Sequence, residues 1–115
     1  MRLTIKGTKY ELSDEVKRYI EERIGGLEKF LPKIDPSSVL CRVEVSMTTK
    51  HHRKGDIFRA EINLDILGDV WRAEAMSDDI YAAIDEARDE LKREMIERKH
   101  KVIDKNLRPA RQKRE

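Results

Sequence analysis

The chain has 115 residues, 42% of them charged and 38% hydrophobic, with a formal net charge of +2. That length suits one domain with a lean core and an ion-rich surface, in no need of disulfides or a structural metal, and no apolar run approaches the ~20 residues of a membrane span. The one cysteine, Cys41, has no partner for an internal disulfide or a CxxC pair, which points to a reducing cytosol.

Residues 2–6 alternate, with Leu3 and Ile5 on one face, and predict a short first strand that Gly7 ends. This start is strand-like and is not a signal peptide. Ser13 reads as a helix N-cap, followed by Asp14 and Glu15 in the first turn. Val16, Ile20, Ile24 and Leu27 then recur at helical spacing, with Tyr19 and Phe30 beside them. Gly25-Gly26 interrupts that stripe at a cost of roughly 1 kcal/mol per glycine, and marks a bend or a close approach to the sheet. Pro32 and Pro36 bracket the exit.

Val39, Cys41, Val43, Val45 and Met47 alternate with polar residues and predict a half-buried strand. Residues 50–55 form a polar hairpin connection. Phe58, Ala60, Ile62, Leu64 and Ile66 share one face of the next strand, and Gly68-Asp69 turns it. Trp71, Ala73 and Ala75 mark a fourth strand. Ser77 reads as the cap of a second helix, whose stripe is Ile80, Ile84, Ala87, Leu91 and Met95. Leu107-Arg108-Pro109 lies where periodicity has ended, so 102–115 is expected to be a mobile basic tail after a domain at 1–101.

The order β-α-β-β-β-α predicts an α+β fold. The last three strands make an antiparallel meander, and the first reaches the second through a helix and so lies parallel to it. Each helix has one apolar stripe and each strand one apolar face. A two-layer sandwich, a four-stranded sheet with both helices on one face, satisfies all of them. The polar sheet face mixes Arg42, Glu44, Arg59, Glu61, Arg72 and Glu74, and has no aromatic pair on which bases stack.

Catalytic chemistry finds no support. Adjacent His51 and His52 lack further ligands at metal spacing and read as solvated or RNA-facing loop residues, and His100 stands alone. Cys41 falls on an apolar face, as a small buried hydrophobe. Asp85, Glu86, Asp89 and Glu90 lie among bases on a helix, the ordinary pattern of a solvated face. No phosphate loop, nucleophile elbow or cofactor motif occurs.

Charge is distributed unevenly. Residues 1–91 hold 15 Lys/Arg against 19 Asp/Glu, and residues 92–115 hold 10 against 4. A phosphate backbone responds to such local potential, not to net charge, although bases late in a helix also suit its dipole. Arg88, Lys92 and Lys99 lie within ~40° on the second helix, while Arg93, Arg98 and Lys101 point elsewhere. Lys17 and Arg23 on the first helix, with Lys50, Arg53 and Lys54 on the hairpin, complete the RNA-binding candidates. Side-by-side helices would gather these into one cationic surface that reads RNA shape through phosphates and ribose hydroxyls.

Two stretches carry a resemblance. One is Arg72-Ala73-Glu74-Ala75, then Asp79-Ile80-Tyr81-Ala82-Ala83-Ile84-Asp85, Leu91 and Arg98-Lys99-His100-Lys101. The other is Leu3-Thr4-Ile5-Lys6-Gly7 with Val16-Lys17 and Leu27-Glu28-Lys29-Phe30. In this element order they resemble the ribosome hibernation-promoting factors, or ribosome-associated translation inhibitors, over roughly residues 1–101. The resemblance implies a fold similar to a double-stranded RNA-binding domain. It also implies a stress-related cytoplasmic protein of the short type that binds the small ribosomal subunit and its rRNA in the mRNA–tRNA channel and blocks initiation sterically. No small-molecule substrate, membrane or cofactor is implied, and a monomer is expected off the ribosome. Tyr81, Ile84 and Leu91 would hold the second helix on the sheet. Family members usually carry bases where this chain has Glu90, Arg93 and Glu97, and frequently one at Gly26. Two other readings fit the charge pattern: a free-standing duplex-RNA-binding module, and a protein–protein adaptor using the Arg/Glu sheet face.

Overall fold

The computed structural model describes residues 1–49 and 55–114, with side chains for 1–48 and 55–98. Four strands, β1 (Arg2–Thr8), β2 (Val39–Thr49), β3 (Asp56–Ile66) and β4 (Asp69–Ser77), form one sheet in the order β1-β2-β3-β4. β1 runs parallel to β2, and the other pairs are antiparallel. Helices α1 (Asp14–Gly25) and α2 (Ile80–Arg114) cover one face, as the periodicities require. α2 runs on to Arg114, past the boundary expected at 101, and the expected hairpin loop at 50–54 lies outside the described residues.

The core lies between the two layers. Val39, Cys41, Val43 and Val45 of β2 and Ala60, Ile62, Leu64 and Ile66 of β3 meet Val16, Ile20 and Ile24 of α1 and Ile84, Ala87, Leu91 and Met95 of α2. Cys41 is fully buried, and burial pushes its thiol pKa up to about 12, so it acts as a small hydrophobe and not as a nucleophile.

Local details depart from the expectations at Gly7 and at the cap of α2. Gly7 does not end β1; it pairs with Val45 inside the ladder. Its missing Cβ lets the following loop fold back, because a side-chain carbon there would run into the Tyr10 carbonyl oxygen. Gly25 and Gly26 have open space where a Cβ would stand, so close approach to the sheet is not their role. They mark the bend, where α1 tightens into a 3₁₀ turn (Gly26–Phe30) that carries Leu27 and Phe30. Ser13 caps α1 as expected, accepting from the Val16 N–H at 3.2 Å. The cap of α2 is Asp79 and not Ser77: the Asp79 carboxylate accepts from the Tyr81 N–H at 3.0 Å, and Ser77 accepts from the N–H of Asp79. A carboxylate at this end also faces the positive pole of the helix.

The β3–β4 connection contains only Leu67 and Gly68, with Ile66 paired to Asp69. Both central residues have positive φ, 52° at Leu67 and 84° at Gly68. A leucine is a poor occupant of that region, and this one is 73% exposed. Leu67→Asn should therefore raise stability by roughly 1 kcal/mol, read as a higher urea midpoint at unchanged slope.

The polar sheet face also differs from simple cross-strand pairing. Glu44 stands opposite Glu61, and Glu61 opposite Glu74, so like charges share one row. Neighbouring rows neutralise them: Arg59 bonds Glu61 at 2.7 Å and also Glu74, while Asn63 donates to Glu61 at 2.9 Å. The Asn63 hydrogen bond first, and then the Arg59 charge, hold the Glu61 carboxyl below its ordinary 4.5. Its contribution is complete above pH 4.5 and is lost as pH falls through the lower folded value. Glu61→Gln should flatten the acid limb of a stability-against-pH curve below pH 4.5 while shifting neutral stability by a constant amount.

Candidate nucleic-acid interface

The site is built by the seam between α1 and α2. Contacts along it advance in step: Tyr19 packs edge-on against Tyr81 at 4.8 Å, Arg23 lies 3.6 Å from Asp85, and the Lys92 ammonium sits 4.9 Å from the Phe30 ring centre. The helices therefore run parallel and side by side. The Tyr19 hydroxyl donates to Asp85 at 2.6 Å, and the Arg23 guanidinium lies 5.2 Å from the Tyr19 ring centre. Burial first, and then the bond to Asp85, raise the Tyr19 pKa above its ordinary 10.0, so the phenol stays neutral.

This arrangement gives the Asp79-Ile80-Tyr81-Ala82-Ala83-Ile84-Asp85 run a structural meaning. Asp79 caps α2, while Ile80, Ala83 and Ile84 enter the core. Tyr81 and Asp85 clamp α1. Ile84 and Leu91 do hold α2 on the sheet; Tyr81 ties helix to helix instead.

The seam changes character along its length. Near the helix N-termini it carries Glu15, Tyr81 and Asp85. Further on, Arg88 and Lys92 follow Asp85 at helical spacing on the same side of α2, with Arg23 across from them. Arg23 and Asp85 are about half and a third exposed, so their pair is weak and open to competition from a phosphate. Arg88 is mostly covered and donates to its neighbour Asp89 at 2.9 Å.

Other candidates lie elsewhere. Lys17 projects about 120° away from Arg23 around α1, on the flank away from α2. Arg93 faces the other side of α2, in a cleft whose remaining polar walls are Glu74, Glu86, Asp89 and Glu90. Glu90 thus belongs to an acidic flank rather than to the seam, and helical spacing puts Glu97 on the same side of α2. Arg98 is committed to structure: it bonds Asp69 at 3.0 Å and Glu94 at 2.8 Å, and its guanidinium covers the Trp71 ring at 4.9 Å. Lys50, Arg53, Lys54, Lys99 and Lys101 lie outside the described side chains, as do His51, His52 and His100.

Sequence reasoning did not single out Lys29 as a candidate. It lies in the 3₁₀ turn, with its ammonium 5.4 Å from the ring centre of Phe30. A cation beside an aromatic at the end of an apolar stripe was the available signal.

Residues 3–103 match the protein family described as sigma 54 modulation protein / S30EA ribosomal protein. The chain belongs to this family. Within the S30EA match fall the whole clamp and every described cation of the seam. The chain is 32% identical over 112 residues to the ribosome hibernation promoting factor of Azotobacter vinelandii, covering 96% of this chain and 95% of that protein. It is 30% identical over 91 residues to the ribosome hibernation promotion factor of Deinococcus radiodurans, covering 79% of this chain and 45% of that longer protein. Among solved structures, the N-terminal domain of Thermus thermophilus Protein Y is similar, with a TM-score of 0.69 and 28% identity over 84% of this chain and 98% of that one. The α+β sandwich is thus a fold shared with that solved domain.

Proposed function

We propose that this protein is a ribosome hibernation factor that binds the small ribosomal subunit in its mRNA–tRNA channel and blocks initiation by occupying it. The observation that carries this reading is the α1–α2 seam, where Arg23, Arg88 and Lys92 line up between two parallel helices in a chain related to named hibernation factors. Arginine and lysine there would hold rRNA phosphates and ribose hydroxyls and read the shape of a rigid groove. The acidic flank of α2, with Glu74, Glu86, Asp89 and Glu90, would be repelled by the same phosphates, so the wedge has one favoured orientation. No bond is made or broken in this action, and a cytoplasmic location follows from the ribosome as partner. Among the described residues no helix is long and apolar enough to cross a membrane.

The test is competition on purified small subunits. Added protein should displace bound mRNA and initiator tRNA in proportion to its own binding, and high salt should reverse both effects. Stable co-binding of protein, mRNA and initiator tRNA on one subunit would contradict occupation of the channel. Equal affinity for plain duplex RNA and for small subunits would favour the duplex-binding module instead.

A further inference from the structure

We infer that Phe30 is a positioning residue for RNA contact: its ring gathers Lys29 and Lys92 into a single phosphate-binding pair. This rests on the ribosome-binding reading above and names residues within it. Lys29 belongs to the 3₁₀ turn after α1 and Lys92 to α2, yet their ammonium groups lie 5.4 and 4.9 Å from the same ring centre. Phe30 is partly buried and packs against the core, so the ring is a fixed platform.

Both ammonium groups share one ring, and like charges held that near to each other repel. Among the described residues neither lysine is ion-paired, and the carboxylates of the seam and its surroundings have other first partners. Glu28 pairs with the amino terminus at 3.2 Å, Asp89 with Arg88, and Asp85 with Tyr19 and Arg23. The ring quadrupole attracts both cations without neutralising either. It also limits the freedom of two flexible four-carbon stems before any ligand arrives, which lowers the entropic cost of binding. A phosphodiester, with one negative charge shared over two non-bridging oxygens, offers an acceptor to each ammonium group. An aromatic residue at the far end of the seam thus orders its cations.

The experiment is a mutant cycle read as affinity for purified small subunits at fixed low salt. Phe30→Leu keeps apolar volume and removes the ring, while Phe30→Tyr keeps it. Phe30→Leu should weaken binding about fivefold and Phe30→Tyr less than about twofold. The Lys29→Ala/Lys92→Ala double variant should lower the slope of log affinity against log salt by about 1.5. Adding Phe30→Leu to that double variant should cost nothing more. Melting curves accompany each variant, and Phe30→Met takes the place of Leu in the cycle if Leu melts near the assay temperature. An equal loss from the ring deletion with and without the lysines overturns the positioning role, and so does a Leu variant that binds like wild type. If the wild-type protein shows no salt-dependent binding to small subunits, the functional reading itself falls. Wild-type binding with additive variants removes only the pair.

Discussion

Reversing Arg23, Arg88 and Lys92 together to Glu should lower affinity for small ribosomal subunits by at least about a hundredfold at moderate salt and reduce the salt slope by 2 or more. Each substitution removes a phosphate partner and places a carboxylate where a phosphate would lie, so repulsion adds to lost attraction. The fold should survive. The Arg23–Asp85 pair is exposed enough to be worth only tenths of a kcal/mol, and Lys92 lies on the surface of the Phe30 ring. Arg88 is the most covered of the three, and Arg88→Gln in its place separates a folding defect from a binding defect. A matched reversal of Lys6, Arg42 and Arg72 on the open sheet face should leave binding within about twofold, because those cations point away from the helical side. If the sheet-face triple abolishes binding and the seam triple spares it, the interface is on the wrong side of the molecule.

Leu91→Ala should be the most damaging conservative change to the fold, at about 2–5 kcal/mol. Leu91 is fully buried in the middle of the α2 stripe, where it meets the sheet. Its neighbours on either side, Ala87 and Met95, are also at 0% exposure. Ala87 has only a methyl group and cannot move into the gap, so the cavity collapses poorly. Total stability of a domain this size is on the order of 5–15 kcal/mol, so the variant loses a large share of it. Thermal melting should show a drop on the order of 10 °C or more. A shift of less than about 3 °C would mean that α2 is not clamped to the sheet through this residue.

The strands were legible because each has one buried and one solvated face, and alternation records that directly. Helix stripes were legible for the same reason. What could not be read were interactions set by where elements lie beside one another. The Tyr19–Asp85 hydrogen bond joins residues 66 apart in sequence. Helical spacing groups Arg88 with Lys92, but periodicity alone does not say on which side of α2 the first helix lies. That side decides that Arg88 and Lys92 line the seam while Arg93 joins the carboxylates of the opposite flank. Charge alone did not reveal the partners of Arg98, since Asp69, Glu94 and Trp71 converge on it only after β4 and α2 have docked. Gly7 looked like a strand end because glycine usually interrupts a strand. Only the return of the chain over it shows that the ladder continues and that the space is needed for the Tyr10 carbonyl.

The central claim, that the α1–α2 seam meets ribosomal RNA, is tested most directly by a cryo-EM map of this protein on small subunits. The predicted result is density in the mRNA–tRNA channel with Arg23, Arg88 and Lys92 against backbone phosphates and the flank of Glu74, Glu86 and Glu90 turned away from RNA. Density that sets the Arg59–Glu61–Glu74 sheet face on the rRNA, or places the protein outside that channel, would contradict it.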